Sequence, residues 1–286
     1  MEVTFIGIGA EAASALKRLK QTVPGRYLGV FSKAADAADY DAEQLRFCLR
    51  PSVDAAALRI LPKLQKFING SEVVFLLSEL SGKPQEDILC NLVQGLNAET
   101  VISIVWYEKR KHGQRGIETS LERLADHSAV VAIPQKNFEK TLELIPEYVG
   151  QLLLMYRLPY ANAAPEAGKK ALQEGGLLHL TQNEIPMDEL TPKRGWRSLG
   201  MAETEYNPDL DTLLNYSRSA LLSLAVPPGT PPAIIRYICE YVFYAIDPEG
   251  EFNFHITVAP ELQDCVAIKL LGADTITAKI ADLWEL

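Results

Sequence analysis

The stretch VTFIGIGAEAASALKRLK, residues 3–20, decides the fold class of this protein. It opens with an apolar run that ends in Gly7-Ile8-Gly9, and the residues after Gly9 carry apolar side chains at helical spacing. Basic residues stand near its end, where they suit the dipole of a helix. The stretch therefore predicts a strand, a glycine turn and a helix, which is how many α/β domains begin.

The same alternation continues through the first half of the chain. Further apolar runs predict strands, and stretches with apolar residues three or four positions apart predict helices. The predicted strands cover residues 27–31, 73–77, 101–106 and 129–133, and the predicted helices cover residues 54–68, 84–96, 114–126 and 138–156. Strands that alternate with helices form a mostly parallel sheet with helices on both faces. Residues 1–157 are thus predicted to form a doubly wound α/β domain.

The composition changes beyond this domain. Residues 158–176 are rich in Ala, Pro, Lys, Glu and Gly, which predicts a connecting segment with one short exposed helix at 163–174. Residues 177–286 predict a smaller C-terminal α+β domain. Its predicted helices cover residues 207–224 and 233–246, and its predicted strands cover residues 252–258 and 266–271.

The chain is acidic, and its cysteines and histidines are few and scattered. Lys and Arg total 28 against 37 Asp and Glu in 286 residues, a net charge of −9. An acidic protein lacks the field that attracts nucleic-acid phosphates or anionic lipid. No basic region followed by an apolar run opens the sequence, and no apolar run approaches the roughly 20 residues that span a bilayer. We therefore expect a cytoplasmic protein with reduced thiols, no metal site, no nucleic-acid partner and no direct insertion into a membrane.

The glycine turn admits more than one interpretation. A Gly-x-Gly turn between a strand and a helix lets the backbone approach a phosphate, and the free amides of the helix attract anions. Ala12 stands where a dinucleotide-binding turn has its third glycine, and the second strand ends in Val30-Phe31-Ser32-Lys33, without the acid that binds a ribose diol. An unrelated enzyme with a Rossmann-type nucleotide cofactor stays as an alternative. The other interpretation is a tight turn that serves only the packing of the helix on the strand.

Five segments of the chain resemble, in the same order, the FtsZ branch of the tubulin superfamily. They are residues 3–19, 71–80, 101–134, 195–202 and 252–273. The second resembles the apolar strand before the family's glycine-rich signature loop, the third ends in Ala-Ile-Pro like the family's Ile-Pro-Asn, and the fourth, GWRSLGMA, resembles its Gly-x-Ala-Met-Met-Gly strand. The resemblance implies a GTPase domain, a long central helix, and a C-terminal domain whose loop completes the active site of the next subunit in a filament.

The sequence departs from the family at the phosphate-binding loop. The signature loop Gly-Gly-Gly-Thr-Gly-Thr-Gly aligns with SGKPQED, residues 81–87, which keeps a single glycine. Pro84 lacks an amide donor, and Glu86 and Asp87 bring negative charge to a place that would hold phosphates. If the site is retained, the resemblance assigns the binding of GTP or GDP to Gly7, Gly9, Ala10, Gly82 and Lys83.

The family's catalytic motif, Asn-x-Asp-x-x-Asp, aligns with HLTQNE, residues 179–184. Thr181 replaces the first acid and cannot accept a proton from water at neutral pH. Glu184 is the candidate catalytic residue, and the resemblance places Thr181 and Glu184 at a subunit interface. His179 lies between two leucines and is interpreted as a packed or surface residue. We therefore predict no useful GTP hydrolysis and no resident cofactor.

The leading hypothesis is a pseudo-GTPase with an FtsZ-like fold, a scaffold or regulator in a prokaryotic cytoskeletal, cell-division or membrane-remodelling system. Its partners are expected to be proteins, either other chains or copies of itself in an FtsZ-type filament. The sequence ends soon after its last predicted strand, so we expect partners to bind the folded surface. The candidate surface residues are Trp284, Leu286, Tyr237, Tyr241 and Tyr244. The main alternative is an active GTPase that hydrolyses GTP and forms filaments.

Overall fold

The structure is a computed structural model, and it describes residues 1–31, 43–46, 52–108, 114–135, 137–161, 166–188, 190, 217–246 and 248–275. The predicted strand at 195–202, the first part of the predicted helix at 207–224, and the candidates Trp284 and Leu286 lie outside these residues. The chain divides into two compact units. The first comprises Met1–Gly150 and Leu172–Leu177, and the second comprises Gln151–Ala171 and Leu178–Leu286.

The first unit is built on a parallel sheet. Its strands are β1 (Val3–Ile8), β2 (Arg26–Phe31), β3 (Glu43–Arg46), β4 (Val73–Glu79), β5 (Thr100–Tyr107) and β6 (Ala129–Pro134). They lie in the order β3-β2-β1-β4-β5-β6, and the first residues of β7 (Gly176–Pro186) pair with β6. All of these pairs are parallel. The predicted α/β class and the mostly parallel sheet are confirmed.

Helices follow the strands as the hydrophobic periodicity predicts. They are α1 (Ala10–Thr22), α2 (Val53–Ile68), α3 (Lys83–Gly95), α4 (Gln114–Ala125), α5 (Phe138–Arg157) and α6 (Ala167–Gln173). The last residues of α5 and most of α6 belong to the second unit. Pro146 lies inside α5, which is one helix rather than two, and α6 is the short helix predicted at 163–174.

Burial on both faces explains the continuous apolar runs of the central strands. Every residue of β1, β4 and β5 is buried, as expected for parallel strands covered on both sides. Phe5 in β1 lies opposite Tyr27 in β2 and Phe75 in β4. Its ring stacks on theirs with centroids 4.9 Å and 5.2 Å apart. Such pairs stabilise a fold by about 0.5–1.5 kcal/mol each beyond burial, so this aromatic row supports the register of the three strands.

The second unit contains the other strands of the ten-stranded order, and these are of mixed direction. Its strands lie in the order β7-β10-β8-β9, with β8 at Ser219–Val226, β9 at Glu251–Val258 and β10 at Cys265–Thr275. β8 runs antiparallel to β10 and parallel to β9. Helix α7 (Pro232–Ala245) connects β8 to β9, and its residues Ile238 and Val242 join the apolar cluster of this unit. The helix predicted at 233–246 and the two strands predicted after it are thus confirmed.

The helix predicted at 207–224 is wrong in its described part, because residues 219–226 form β8. The run SALLSLAV has apolar residues at six of its eight positions, with Ser219 and Ser223 between them, and six of its eight residues are buried. A strand with neighbours on both sides and cover on both faces shows no alternation, so Leu221 and Leu224 fit helical spacing without a helix. β3 was not predicted at all, since four residues at the edge of a sheet carry little pattern.

Substitutions of two glycines test the packing of α1 on β1. A Cβ at Gly7 would lie 2.6 Å from Leu16 Cδ1, a fully buried side chain, whereas a Cβ at Gly150 in α5 would meet no atom within 4 Å. We expect Gly7→Ala to lower the free energy of unfolding by about 1–3 kcal/mol through overpacking. Gly150→Ala should raise it by about 0.5–1 kcal/mol, because alanine is the better helix former. Urea denaturation followed by circular dichroism measures both, and an equal effect of the two substitutions would contradict this account.

Candidate functional site

The candidate site lies at the carboxyl ends of β1 and β4. The chain leaves β1 towards β2 and β3 on one side, and it leaves β4 towards β5 and β6 on the other. Ligands of open α/β sheets bind outside the carboxyl ends of the strands where the strand order reverses in this way. Helix α1 begins directly after β1, at Ala10, and helix α3 begins shortly after β4, at Lys83. The site therefore combines two strand ends with two helix N-termini.

The glycine turn after β1 contains a glycine with positive φ, and the amide of this glycine is already bonded. Gly9 adopts φ 94° and ψ 172°, a backbone conformation that residues with a Cβ rarely adopt. Its N–H donates to the carbonyl oxygen of Val30, at 3.1 Å. Gly7 lies within β1, where its missing side chain makes room for Leu16 of α1. The packing interpretation of Gly7 thus has direct structural support.

The side chain of Gln85 occupies the space beside Gly9. Its Nε2 donates to the carbonyl oxygen of Ile8 at 3.1 Å, to Ser78 Oγ at 3.2 Å and to the carbonyl oxygen of Glu79 at 3.2 Å. A Cβ at Gly9 would lie only 2.4 Å from this nitrogen. Gln85 belongs to the first turn of α3, so its amide ties α3 to the ends of β1 and β4 across the turn that would otherwise face a ligand.

A buried carboxylate takes the second amide of the site. Gly82, at φ 145°, donates its N–H to Glu86 Oε1 at 3.1 Å, while the N–H of Glu86 donates to the carbonyl oxygen of Gly82 at 3.3 Å. Ser120 Oγ in α4 donates to the other carboxylate oxygen of Glu86 at 2.7 Å. Only 7% of Glu86 is exposed. The carboxylate therefore lies at the N-terminus of α3, the position that favours an anion.

The remaining loop residues contribute less to the site. Asp87 points to α4, where its Oδ1 accepts a 2.7 Å hydrogen bond from Arg123 in an ion pair that is half-exposed. Pro84 lies in the first turn of α3, where the absence of its N–H is tolerated. Ala10 is exposed as the first residue of α1. Lys83 begins α3, and its side chain is outside the description. The structure thus brings Gly9 and Gly82 to the same edge, where Gln85 fills the space beside Gly9 and Glu86 accepts the N–H of Gly82.

The segment aligned with the catalytic motif lies in the second unit and is a strand. Residues 179–184 fall in the middle of β7, whereas the resemblance implied a loop. Glu184 is exposed, and its N–H donates to Asn183 Oδ1 at 2.9 Å. The side chain of Thr181 is outside the description.

The imidazole of His179 is the titratable group of β7 whose pKa changes most. His179 is partly buried as a residue, but its Nε2 is fully buried and has no hydrogen-bond partner in the described part of the chain. Burial lowers the pKa of this imidazole to about 4, because a charged ring would lose its hydration. The ring is therefore neutral at pH 7.

The described residues contain neither a metal-ligating cluster nor a helix that could span a membrane. Among residues 1–275 outside the gaps, no three His, Cys, Asp or Glu side chains are arranged to hold a metal ion. Within the same ranges, no helix combines the length and apolar character needed to cross a bilayer.

Solved structures resemble this chain closely in fold, although no protein-family model and no curated protein matches its sequence. CetZ1 from Haloferax volcanii, a GDP-bound monomer, matches with a TM-score of 0.70 at 14% identity over 100% of this chain and 98% of that chain. CetZ2 from the same organism, a GTPγS-bound protofilament, matches with a TM-score of 0.69 at 15% identity, over 100% of this chain and 98% of that chain. A mutant FtsZ from M. jannaschii matches with a TM-score of 0.68 at 17% identity, over 96% of this chain and 91% of that chain. The chain has the tubulin/FtsZ fold.

The tubulin/FtsZ fold confirms the resemblance drawn from the sequence. The sequence placed the altered loop beside the glycine turn, and residues 81–87 do adjoin that turn, while their role in binding stays a prediction. It assigned the loss of the phosphate loop to Pro84, Glu86 and Asp87, and it missed Gln85 and Ser120. A signal for Gln85 was present: a side-chain amide in a loop that resembles a row of glycines has both the reach and the donors to bond the carbonyl oxygens at strand ends.

Removal of the Glu86 carboxylate tests whether it stabilises the start of α3. Glu86→Ala leaves the N–H of Gly82 and the hydroxyl of Ser120 without their acceptor, so we expect the free energy of unfolding to fall by about 2–3 kcal/mol. Glu122→Ala, at an exposed position of α4, is the control and should change it by less than about 0.5 kcal/mol. Urea denaturation at pH 7 gives both values. A loss at Glu86 no larger than at Glu122 would show that the carboxylate is not held as described.

The buried imidazole of His179 predicts a pH-dependent stability. Its pKa is about 4 in the fold and about 6.5 in the unfolded chain, so the unfolded chain binds the proton first as pH falls. The contribution of His179 to the free energy of unfolding is complete above pH 6.5 and is lost as the pH falls towards 4. The loss between pH 7.5 and pH 5 amounts to about 2 kcal/mol. His179→Leu should abolish this part of the pH dependence. Denaturation midpoints of both proteins at several pH values measure it, and identical slopes would refute the assignment.

Proposed function

We propose that this protein is a non-catalytic member of the group of proteins with the tubulin/FtsZ fold, a pseudo-GTPase that acts as a scaffold or regulator in a cytoskeletal, cell-division or membrane-remodelling system. The observation that carries the proposal is the position of Gln85, whose amide fills the space beside Gly9 and bonds both strand ends. A phosphate at this turn needs that space and needs unbonded amides around it.

The electrostatics of the site support the same proposal. A phosphate near Gly82 would meet the carboxylate of Glu86, which already accepts the N–H of Gly82. Two unit charges about 4 Å apart at an effective dielectric near 20 repel by about 4 kcal/mol. A micromolar affinity corresponds to about 8 kcal/mol, so a single repulsion of this size weakens it to a Kd of about 1 mM. Displacement of Gln85 would also break the hydrogen bonds of its NH₂ group to Ile8, Ser78 and Glu79, which would weaken binding further.

The absence of hydrolysis is part of the proposal. Thr181 stands at the position of the first acid, and Glu184, the remaining candidate catalytic residue, is an exposed side chain on a strand. A group that activates water must be held within hydrogen-bonding distance of it in a defined geometry, and a solvated carboxylate on β7 offers no such restraint by itself.

Self-association is the second part of the proposal. The structures similar to this chain include a GTPγS-bound protofilament of CetZ2 and a dimer of FtsZ from M. jannaschii. We propose that this chain likewise contacts protein partners in the cytoplasm, copies of itself among them, in an assembly that does not depend on GTP. The alternative, a GTP-hydrolysing filament protein, draws on the same similar structures, two of which hold GDP or GTPγS. The fold favours both of these over a Rossmann-type cofactor enzyme.

Calorimetric titration with GTP and with GDP, in the presence of Mg²⁺, tests the pseudo-GTPase proposal. We expect no binding with a Kd below about 1 mM for either nucleotide, and the same sedimentation coefficient with and without nucleotide. A Kd in the micromolar range, or GTP-dependent pelleting, would contradict the proposal and favour the active GTPase.

A further inference from the structure

Within the described residues, part of the outer side of strand β9 in the second unit is open. β9 pairs in parallel with β8 and is the last strand in the order, and no described strand pairs with its other side. The N–H groups of Glu251 and Ala259, at and just beyond the two ends of β9, donate to the carbonyl oxygens of Arg218 and Val226 in the direction of β8. In a parallel pair, alternate residues bond to one neighbour. The peptide groups of Ile256 and Val258 must therefore point away from β8.

A segment of the same chain already bonds to this edge at one point. The N–H of Ala161 donates to the carbonyl oxygen of Phe254 at 2.8 Å, and the carbonyl oxygen of Pro159 lies 2.8 Å from Nδ1 of His255. The edge thus accepts an irregular segment near its middle. Beyond this point, no described residue bonds to the outward peptide groups of Ile256 and Val258.

Apolar side chains line the open part of the edge. Val258 is 61% exposed, and Phe243 on α7 is 53% exposed. The ring of Phe243 meets the edge of Phe252 in β9, with centroids 6.4 Å apart, so this side of α7 adjoins β9. Exposed apolar residues beside an open strand edge are a feature that proteins usually avoid, because another strand can add there. The surface formed by Phe243, Phe252, Ile256 and Val258 is called the β9 edge below.

The charge beside the open part of β9 is acidic. Glu261 follows the strand in a short 3₁₀ helix at Pro260–Leu262 and is exposed, whereas Glu251, which begins the strand, forms an ion pair with Lys170. The net charge of −9 on the chain has the same sign, so a basic segment is favoured over a second copy at this edge.

We propose that the β9 edge binds an extended segment of another protein, which adds to β9 as a further strand. The outward peptide groups specify a strand as the occupant, since only an extended backbone matches their spacing. The apolar side chains specify apolar residues at alternate positions of that segment, and Glu261 together with the negative net charge specifies Lys or Arg among the others. The proposal is independent of nucleotide binding, because it concerns residues of the second unit only.

The test begins with a random peptide library displayed on phage and panned against the full-length protein. Peptides that bind the wild type are expected to alternate apolar and polar residues and to carry Lys or Arg. Val258→Pro removes one outward N–H without touching the bonds to β8, a substitution that edge strands tolerate. It should weaken the binding of a synthetic copy of a selected peptide by about tenfold or more. Val258→Ala, which keeps the N–H, should weaken that binding by less than about threefold.

Amide hydrogen exchange of the free and peptide-bound protein supplies a second readout. The amides of Ile256 and Val258 should exchange faster than those of His255 and Thr257 in the free protein, and peptide should slow them by about tenfold or more. Val258→Lys keeps the amide but repels a basic peptide, which covers the case in which Val258→Pro fails to fold. The proposal is overturned if panning yields no peptide that distinguishes wild type from these variants. It is also overturned if the wild type is a dimer with protected edge amides that either variant dissociates.

Discussion

The first turn of helix α3 contacts the carboxyl ends of β1 and β4, where the strand order of the sheet reverses. The account of function depends on this contact. Gln85 and Glu86 are neighbours in one helical turn, and they bond to different partners. The amide of Gln85 donates to the carbonyl oxygens that end β1 and β4, while the carboxylate of Glu86 accepts the N–H of Gly82 and the hydroxyl of Ser120. A helix N-terminus at a switch point normally leaves its amides to a ligand. In this protein α3 itself supplies the carboxylate of Glu86 and the amide donor of Gln85. Both groups bond to the protein at positions where a ligand would otherwise bind.

The sequence predicts most of the first unit for a physical reason that also sets its limit. Parallel strands covered on both faces must be apolar throughout, so β1, β4, β5 and β6 are visible as apolar runs, and the helices between them as amphipathic stretches. The same reasoning fails at β8. Because SALLSLAV is covered on both faces, its leucines lack the alternation that would distinguish a strand from a buried helix. β3 was missed for the opposite reason, since four edge residues bury too little to leave a pattern.

The sequence indicated which residues of the loop differ from the family, but it did not indicate which contacts they make. The replacement of a glycine row by Lys83, Pro84, Gln85, Glu86 and Asp87 indicated a damaged phosphate loop, and the general electrostatic argument against phosphate follows from Glu86 alone. The side chain that fills the glycine turn is selected by the rotamer of Gln85 and by the distance between two strand ends. Neither quantity can be read from the pattern of a single sequence. Asp87, which has the same charge as Glu86, turns out to bond with Arg123 on α4 instead. The two units thus divide the proposed roles: we propose that the first does not bind nucleotide and that the second offers its strand edge to partners.

A crystal structure of the protein grown with millimolar GTPγS tests the central claim most directly. The account predicts that Nε2 of Gln85 remains within hydrogen-bonding distance of the carbonyl oxygen of Ile8, that Glu86 remains bonded to Gly82, and that no triphosphate lies at the glycine turn. A triphosphate bound against Gly9 and Gly82, with Gln85 and Glu86 rotated away, would contradict it.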